Sequence, residues 1–174
     1  MNSEPVTFTC TLCGEKHAGW PALTFPCPSN YGELTEEKKQ YGQTELNDDF
    51  CVIDSPDQTD FFIRVTLNQK VIGNCEGLDY GVWVSLSETS FVDYSDNFDN
   101  ENHEVTYFGW LSNWLPDYEY SGSIPMNVNT KKGNQRPEIV PHANPDHPFV
   151  RDYFAGISLE EAERRIAAMS KVIS

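Results

Sequence analysis

Cys10, Cys13, Gly14 and His17 spell C-x2-C-G-x2-H, a spacing that brings two thiolates and an imidazole onto one tight turn. A small residue after the second cysteine lets the backbone fold back with its amides toward sulfur, and Gly14 meets that need. This is half of a zinc knuckle. The other ligands stay open: His17 is local, Cys27 and Cys51 are distant sulfurs, and His142 with His147 make a second pair at H-x4-H spacing. Two rival readings compete for the same thiols. A thioredoxin-type dithiol needs its first cysteine at a helix N-terminus, but Thr7, Phe8 and Thr9 read as strand; the other rival is a pair of unligated cysteines. With its protein ligands complete, the zinc would leave no position for water and would be structural.

A second set of residues bears on catalysis. Asp54, Arg64, Ser85, Ser87, Asn113 and His147 are polar groups beside aromatic or apolar runs. Ser85 or Ser87 with His147 and Asp54 would make a hydroxyl nucleophile if the fold joined them. The nucleophile elbow, the H-E-x-x-H helix, the Walker loop and the Rossmann fingerprint are all missing. The structural readings are simpler: the serines on an exposed strand face, Arg64 paired with a carboxylate such as Asp54, and His147 bracing the turn NPDHP.

Charge sets the class of partner. The 27 acidic and 12 basic side chains give a formal charge of -15, which repels nucleic acid and anionic lipid and attracts cations. A basic protein is the partner this field permits. Asp93, Asp96, Asp99, Glu101 and Glu104 crowd the most solvated stretch, without the residue order of an EF-hand. They are candidates for docking such a partner, together with Trp110 and Trp114, although core packing is the simpler reading of each ring taken singly. MNSEPVTFTC lacks a basic n-region and an apolar h-region, and no run reaches the ~18 apolar residues of a membrane helix. Five cysteines in no regular array fit reduced thiols, so a cytoplasmic protein is expected.

The elements that must hold these residues are mostly strands. Phe61, Ile63, Val65 and Leu67 alternate with Phe62, Arg64 and Thr66, and Val82, Val84 and Leu86 alternate with Trp83, Ser85 and Ser87. Both runs predict half-buried strands of an antiparallel sheet. Val6–Cys10, Phe50–Ile53, Val105–Trp110, Ile124–Val128 and Glu138–Val140 add shorter ones, separated by Gly, Pro, Asn and Asp clusters. Ser158 and Glu161 predict a capping box opening a helix over 158–173, with Leu159, Ala162, Ile166, Met169 and Ile173 on one stripe. Glu160 with Arg164 and Glu161 with Arg165 are expected on its wet side. Short helices are expected from Thr35 to about Tyr41 and after Ser87 through Tyr94.

Several stretches together resemble a bacterial family defined as domain of unknown function number 2199. They are CTLCGEKH, FCVID at 50–54, FFIR at 61–64, GVWVSLSE at 81–88, FGWLSNWLPDY at 108–118 and DHP at 146–148. The resemblance implies that Cys10, Cys13, His17 and Cys51 belong to one recurring pattern, favouring Cys51 over Cys27 as the further zinc ligand. No activity travels with it.

The expectation is therefore a single α+β domain over 1–174, mainly antiparallel sheet. A zinc-knuckle-like hairpin lies within 1–30, and the C-terminal amphipathic helix packs on the sheet. Its expected function is non-catalytic: a zinc-braced, acidic, monomeric or weakly oligomeric protein that binds a basic partner. An immunity protein covering a cationic toxin is the most concrete form. The alternatives are a small hydrolase or transferase, metal-dependent or built on Arg64, Asp54 and His147, and a housekeeping domain whose partner is small or absent.

Overall fold

Period-two alternation produces the longest elements, strands β6 (Thr59–Val71) and β7 (Asn74–Leu86), joined through Ile72 and Gly73, with Gly73 at φ 85°. A computed structural model describes residues 7–9, 16–119, 123–144 and 146–173, with side chains for 19–119, 123–144 and 146–169. The preceding strands are β1 (Thr7–Thr9), β2 (Lys16–Ala18), β3 (Leu23–Thr24), β4 (Glu45–Leu46) and β5 (Phe50–Asp54). β8 (Thr106–Leu111), β9 (Pro125–Asn129) and β10 (Glu138–Pro141) follow. The helices are α1 (Ser29–Gly32), α2 (Glu36–Lys39), α3 (Glu88–Asp96), α4 (Pro148–Ala155) and α5 (Leu159–Ile173).

β1 and β2 pair as a small antiparallel hairpin, and the other strands run in the order β3-β7-β8-β9-β10-β6-β5-β4. β6 also pairs with β7, so the pairings of β6 to β10 form a closed cycle. Its parallel junction is β10 with β6, at Glu138 opposite Thr66, while β7–β8, β8–β9 and β9–β10 are antiparallel. The fold is thus α+β with a mixed, mostly antiparallel sheet. The chain divides into two compact units, 24–67 with 81–143, and 1–23 with 68–80 and 144–174.

In the first unit β7 is covered on both faces: Val82, Trp83 and Val84 are all buried, where alternation predicts one wet side. The Trp83 ring packs with Cys51, Ile53 and Phe62, and Phe25, Tyr31, Leu34 and Leu46 close over that cluster. Burying an indole requires partners for its polar atoms. Trp83 Nε1 donates to Phe25 O at 3.0 Å, and its backbone N–H donates to Asn113 Oδ1 at 2.8 Å. Asn113, itself buried, turns its Nδ2 to Cys27 O at 2.9 Å, tying the 25–34 segment to the turn after β8. β8 keeps strict alternation, with Tyr107, Gly109 and Leu111 inward and Thr106, Phe108 and Trp110 outward. A Cβ at Gly109 would lie 2.9 Å from Ser85 O, so only glycine admits this close strand approach.

In the second unit α4 and α5 accompany the tip of the β6–β7 hairpin. Ile157 bridges Val71, and buried Gln69 donates through Nε2 to Lys70 O and Asp152 O. His147 caps α4, its Nδ1 accepting the Phe149 N–H, which agrees with a turn-bracing role. Ser158 caps α5 through the Glu161 N–H, but the other half of the capping box is differently used. The Glu161 carboxylate accepts from Arg164 and from Arg165 at 2.9 Å. Arg165 is 4% exposed and donates to Tyr80 Oη, so it belongs to the helix's buried side rather than its wet one, while Leu159 is exposed. The Arg164 bond, against the opposing effect of burial, and then Arg165 hold the Glu161 carboxyl at about 2 instead of 4.5.

The expected zinc knuckle needs correction. The β1–β2 hairpin sets Phe8 opposite His17, and Cys10 and Cys13 lie outside the described residues. Among the described residues no group of three or more His, Cys, Asp or Glu is able to hold a metal ion.

Two stability predictions follow from these networks. Asn113→Ala strips partners from the Trp83 N–H and Cys27 O, at about 1–3 kcal/mol for each buried group left unsatisfied; urea titration should show the midpoint falling with the slope retained. Glu161, depressed on folding, adds stability that is complete above the unfolded value near 4.5 and disappears as pH falls through about 2. Glu161→Gln should therefore be less stable than the wild type at neutral pH, and the two unfolding curves should converge on acidification toward pH 2. A gap independent of pH would contradict this account.

Candidate functional site

Cys51 is the first predicted site residue that the structure removes. It lies on β5 with no exposed surface, opposite Phe62 and inside the Trp83 cluster. Burial, with Cys27 adding to it, pushes its thiol up to about 12, so at neutral pH it is a protonated core thiol. Zinc binds the thiolate, and the apolar surroundings that raise this thiol oppose that form. His142 and His147 have local partners too: His142 Nε2 lies 2.8 Å from Asn127 Oδ1, and His147 caps α4. The expected zinc and the zinc-braced function built on it are withdrawn.

The catalytic candidates are similarly committed. Asp54 accepts the Gln43 N–H and the Thr59 hydroxyl, and no bond to Arg64 is formed among the described residues. Arg64 instead lies over the Trp83 ring, 6.0 Å from its centroid, and its Nη1 reaches Asp48 O at 3.5 Å. Burial, then nearby Arg136, lowers its pKa. Ser87 is the cap of α3, its Oγ accepting the Ser90 N–H.

The acidic stretch is structured rather than a bare loop. α3 runs through Asp96, and Asn97 and Asn100 close the turns beyond it. Asp93 accepts a 2.6 Å bond from Tyr107 Oη, and His103 Nε2 lies 2.8 Å from the same oxygen. Burial first, then the Asp93 bond, holds the phenol above its ordinary range. Its single proton points to Asp93, so His103 must donate through Nε2. Glu104 faces Lys132 at 3.7 Å, and the Glu101 carbonyl accepts the Gly133 N–H. Asp96, Asp99, Glu101 and Glu104 are solvent-exposed.

Trp110 and Trp114 do reach solvent, at 44% and 54% exposure, with Phe108 beside them at 49%. Phe108 and Trp110 stack edge to face on the outer side of β8, and the Phe108 ring also meets His142. Trp114 is fixed by its backbone N–H, which donates to Ser29 Oγ at 3.0 Å. Between the two tryptophans lies a hollow of about 500 Å³, bordered by Asn30, Gln58, Asp60 and Ser123. A second hollow of about 450 Å³ lies along Phe108 and Trp110, and carries Glu88, Ser90 and again Asp60. Ser85 and Trp110 border both. Both Asp60 oxygens accept from the Gln58 amide, which orients the carboxylate.

Among the described residues neither hollow has a lysine or arginine in its lining. Rigid indole faces beside carboxylates suit a cationic or amphipathic side chain, which gains ring contact and charge pairing together. Asp96, Asp99, Glu101 and Glu104 do not line either of these two hollows. Asp60 and Gln58 escape sequence reasoning because no motif marks them. The single available signal is parity, since Asp60 shares its strand face with Phe62.

No helix among the described residues is long and apolar enough to cross a membrane. Nothing matches the chain among curated proteins, and nothing among solved structures. The model of one family, described as an uncharacterized protein conserved in bacteria (DUF2199), matches residues 9–157, which agrees with the stretches running from CTLCGEKH to DHP, and the protein belongs to that family.

Proposed function

We propose that this is a binding protein that takes a basic segment of a partner protein across Trp110, with Trp114 and Phe108 as flanking surfaces and Asp60 and Glu88 as charge partners. The observation that carries it is the pair of hollows that share Trp110, carboxylate-bearing and without a lysine or arginine among their described lining residues, on a chain of charge -15. The tryptophans give contact area at small conformational cost, because strand β8 and the Ser29 bond already hold them. The wider acidity, including Asp96, Asp99, Glu101 and Glu104, steers a cationic partner from a distance and raises its association rate. Cys27 and Cys51 without a disulfide suit the reducing cytoplasm, where we place the protein.

The test uses fluorescence anisotropy with labelled Arg-rich and Lys-rich peptides at low and moderate salt. Trp110→Ala should weaken binding roughly tenfold, about what a partly desolvated cation–π contact contributes. Asp60→Asn should weaken it several-fold and reduce its salt dependence. Glu76→Gln removes one acidic charge in the other unit and should change little. Equal effects of Trp110→Ala and Glu76→Gln would show that net charge alone attracts the peptides, and would refute the groove.

A further inference from the structure

One cavity has the opposite chemistry to the rest of this acidic surface. It spans about 460 Å³ between the end of α3 and the loop before β10, within the range of small-molecule pockets. Its lining includes Arg136, Lys131 and His103, against Asp49 as the single carboxylate. Two permanent cations to one acid inverts the chain-wide ratio of 12 to 27. Amide side chains of Asn97, Asn100, Asn134 and Gln135 add hydrogen-bonding groups, and Tyr94 and Phe98 supply aromatic wall.

The arginine is already oriented. Arg136 Nε donates to Asp49 Oδ1 at 3.0 Å, while no acceptor among the described residues takes its Nη groups. Anchoring one edge of a guanidinium leaves its two-nitrogen fork presented, the geometry that receives an oxyanion in a bidentate manner. Lys131 is held at 2.7 Å by Glu138, a carboxylate outside the lining, which orients the ammonium at the rim and offsets part of its charge. On the opposite wall the Asp93–Tyr107–His103 chain fixes the ring: Nε2–H is spent on Tyr107, and Nδ1 remains as the ring's acceptor or, when protonated, a second donor.

We infer that this cavity binds a small organic oxyanion, a phosphate or carboxylate head on a polar body, with Arg136 taking the head and the amides and His103 the body. This site is independent of the Trp110 groove. The test titrates the full chain with ribose 5-phosphate and separately with citrate, at low ionic strength, following backbone amide resonances by NMR. One or both anions should shift the amides of Asn100, His103 and Arg136 in a saturable manner; a shift with ribose 5-phosphate alone assigns a phosphate head, and with citrate alone a carboxylate. Arg136→Gln should weaken that titration by at least roughly tenfold, the loss expected when a charge-assisted pair is removed, while Trp110→Ala should leave it unchanged. Saturable shifts in neither titration, or equal affinity in Arg136→Gln, overturn the assignment. If Arg136→Gln fails to fold once Asp49 is left alone, Lys131→Gln decides: weaker titration supports the site, and unchanged titration overturns it.

Discussion

An indole buried on what should be the wet face of a strand governs the larger unit. Trp83 cannot stay inaccessible unless its Nε1–H and backbone N–H find acceptors, and Phe25 O and Asn113 Oδ1 are the two that do. Meeting those needs draws the 25–34 segment over the β5–β6–β7 face and fixes the turn after β8. Trp114 follows Asn113 immediately, so the bond network that satisfies the core also sets one wall of the exposed aromatic hollow. The core's hydrogen bonds and the exposed indoles share one short stretch, GWLSNW.

The same logic explains why the cysteine pattern misleads. A buried cysteine on a strand between apolar neighbours behaves as a small hydrophobe, and Cys51 fills that role beside Phe62 and Trp83. Spacing between thiols carries no information on burial, and burial decides whether the anion that a metal requires can form.

What could be read in advance depended on whether local chemistry or tertiary cover controlled the outcome. Strands β5 to β10 were legible because alternation and turn residues are local, and Ser158 announced α5 through its hydroxyl cap, whereas the Ser87 cap of α3 emerges only in the structure. α4 was missed although His147 and Pro148 mark its start, because eight residues rich in aromatics show no clear helical stripe. Arg165 was misplaced since helix periodicity counts charges as outward, while Tyr80, from β7, supplies an acceptor that sequence proximity hides. At the candidate site the sequence marks Trp110 and Trp114 but not their exposure, since core packing is the simpler reading of each ring and only the fold turns them to solvent. Asp60 and the Arg136 cavity were not legible, because they arise from strands and loops distant in sequence.

The parallel junction between β6 and β10 carries a kinetic consequence. Thr66 and Pro137 are bonded across 71 positions, whereas β6–β7 and β9–β10 are neighbours along the chain. Joining distant segments has to overcome more loop-closure entropy before any contact rewards it. The hypothesis is that the hairpins zip first and the ring shuts last. Hydrogen-exchange pulse labelling during refolding would contradict it if the Thr66 amide gained protection ahead of the amides in β9.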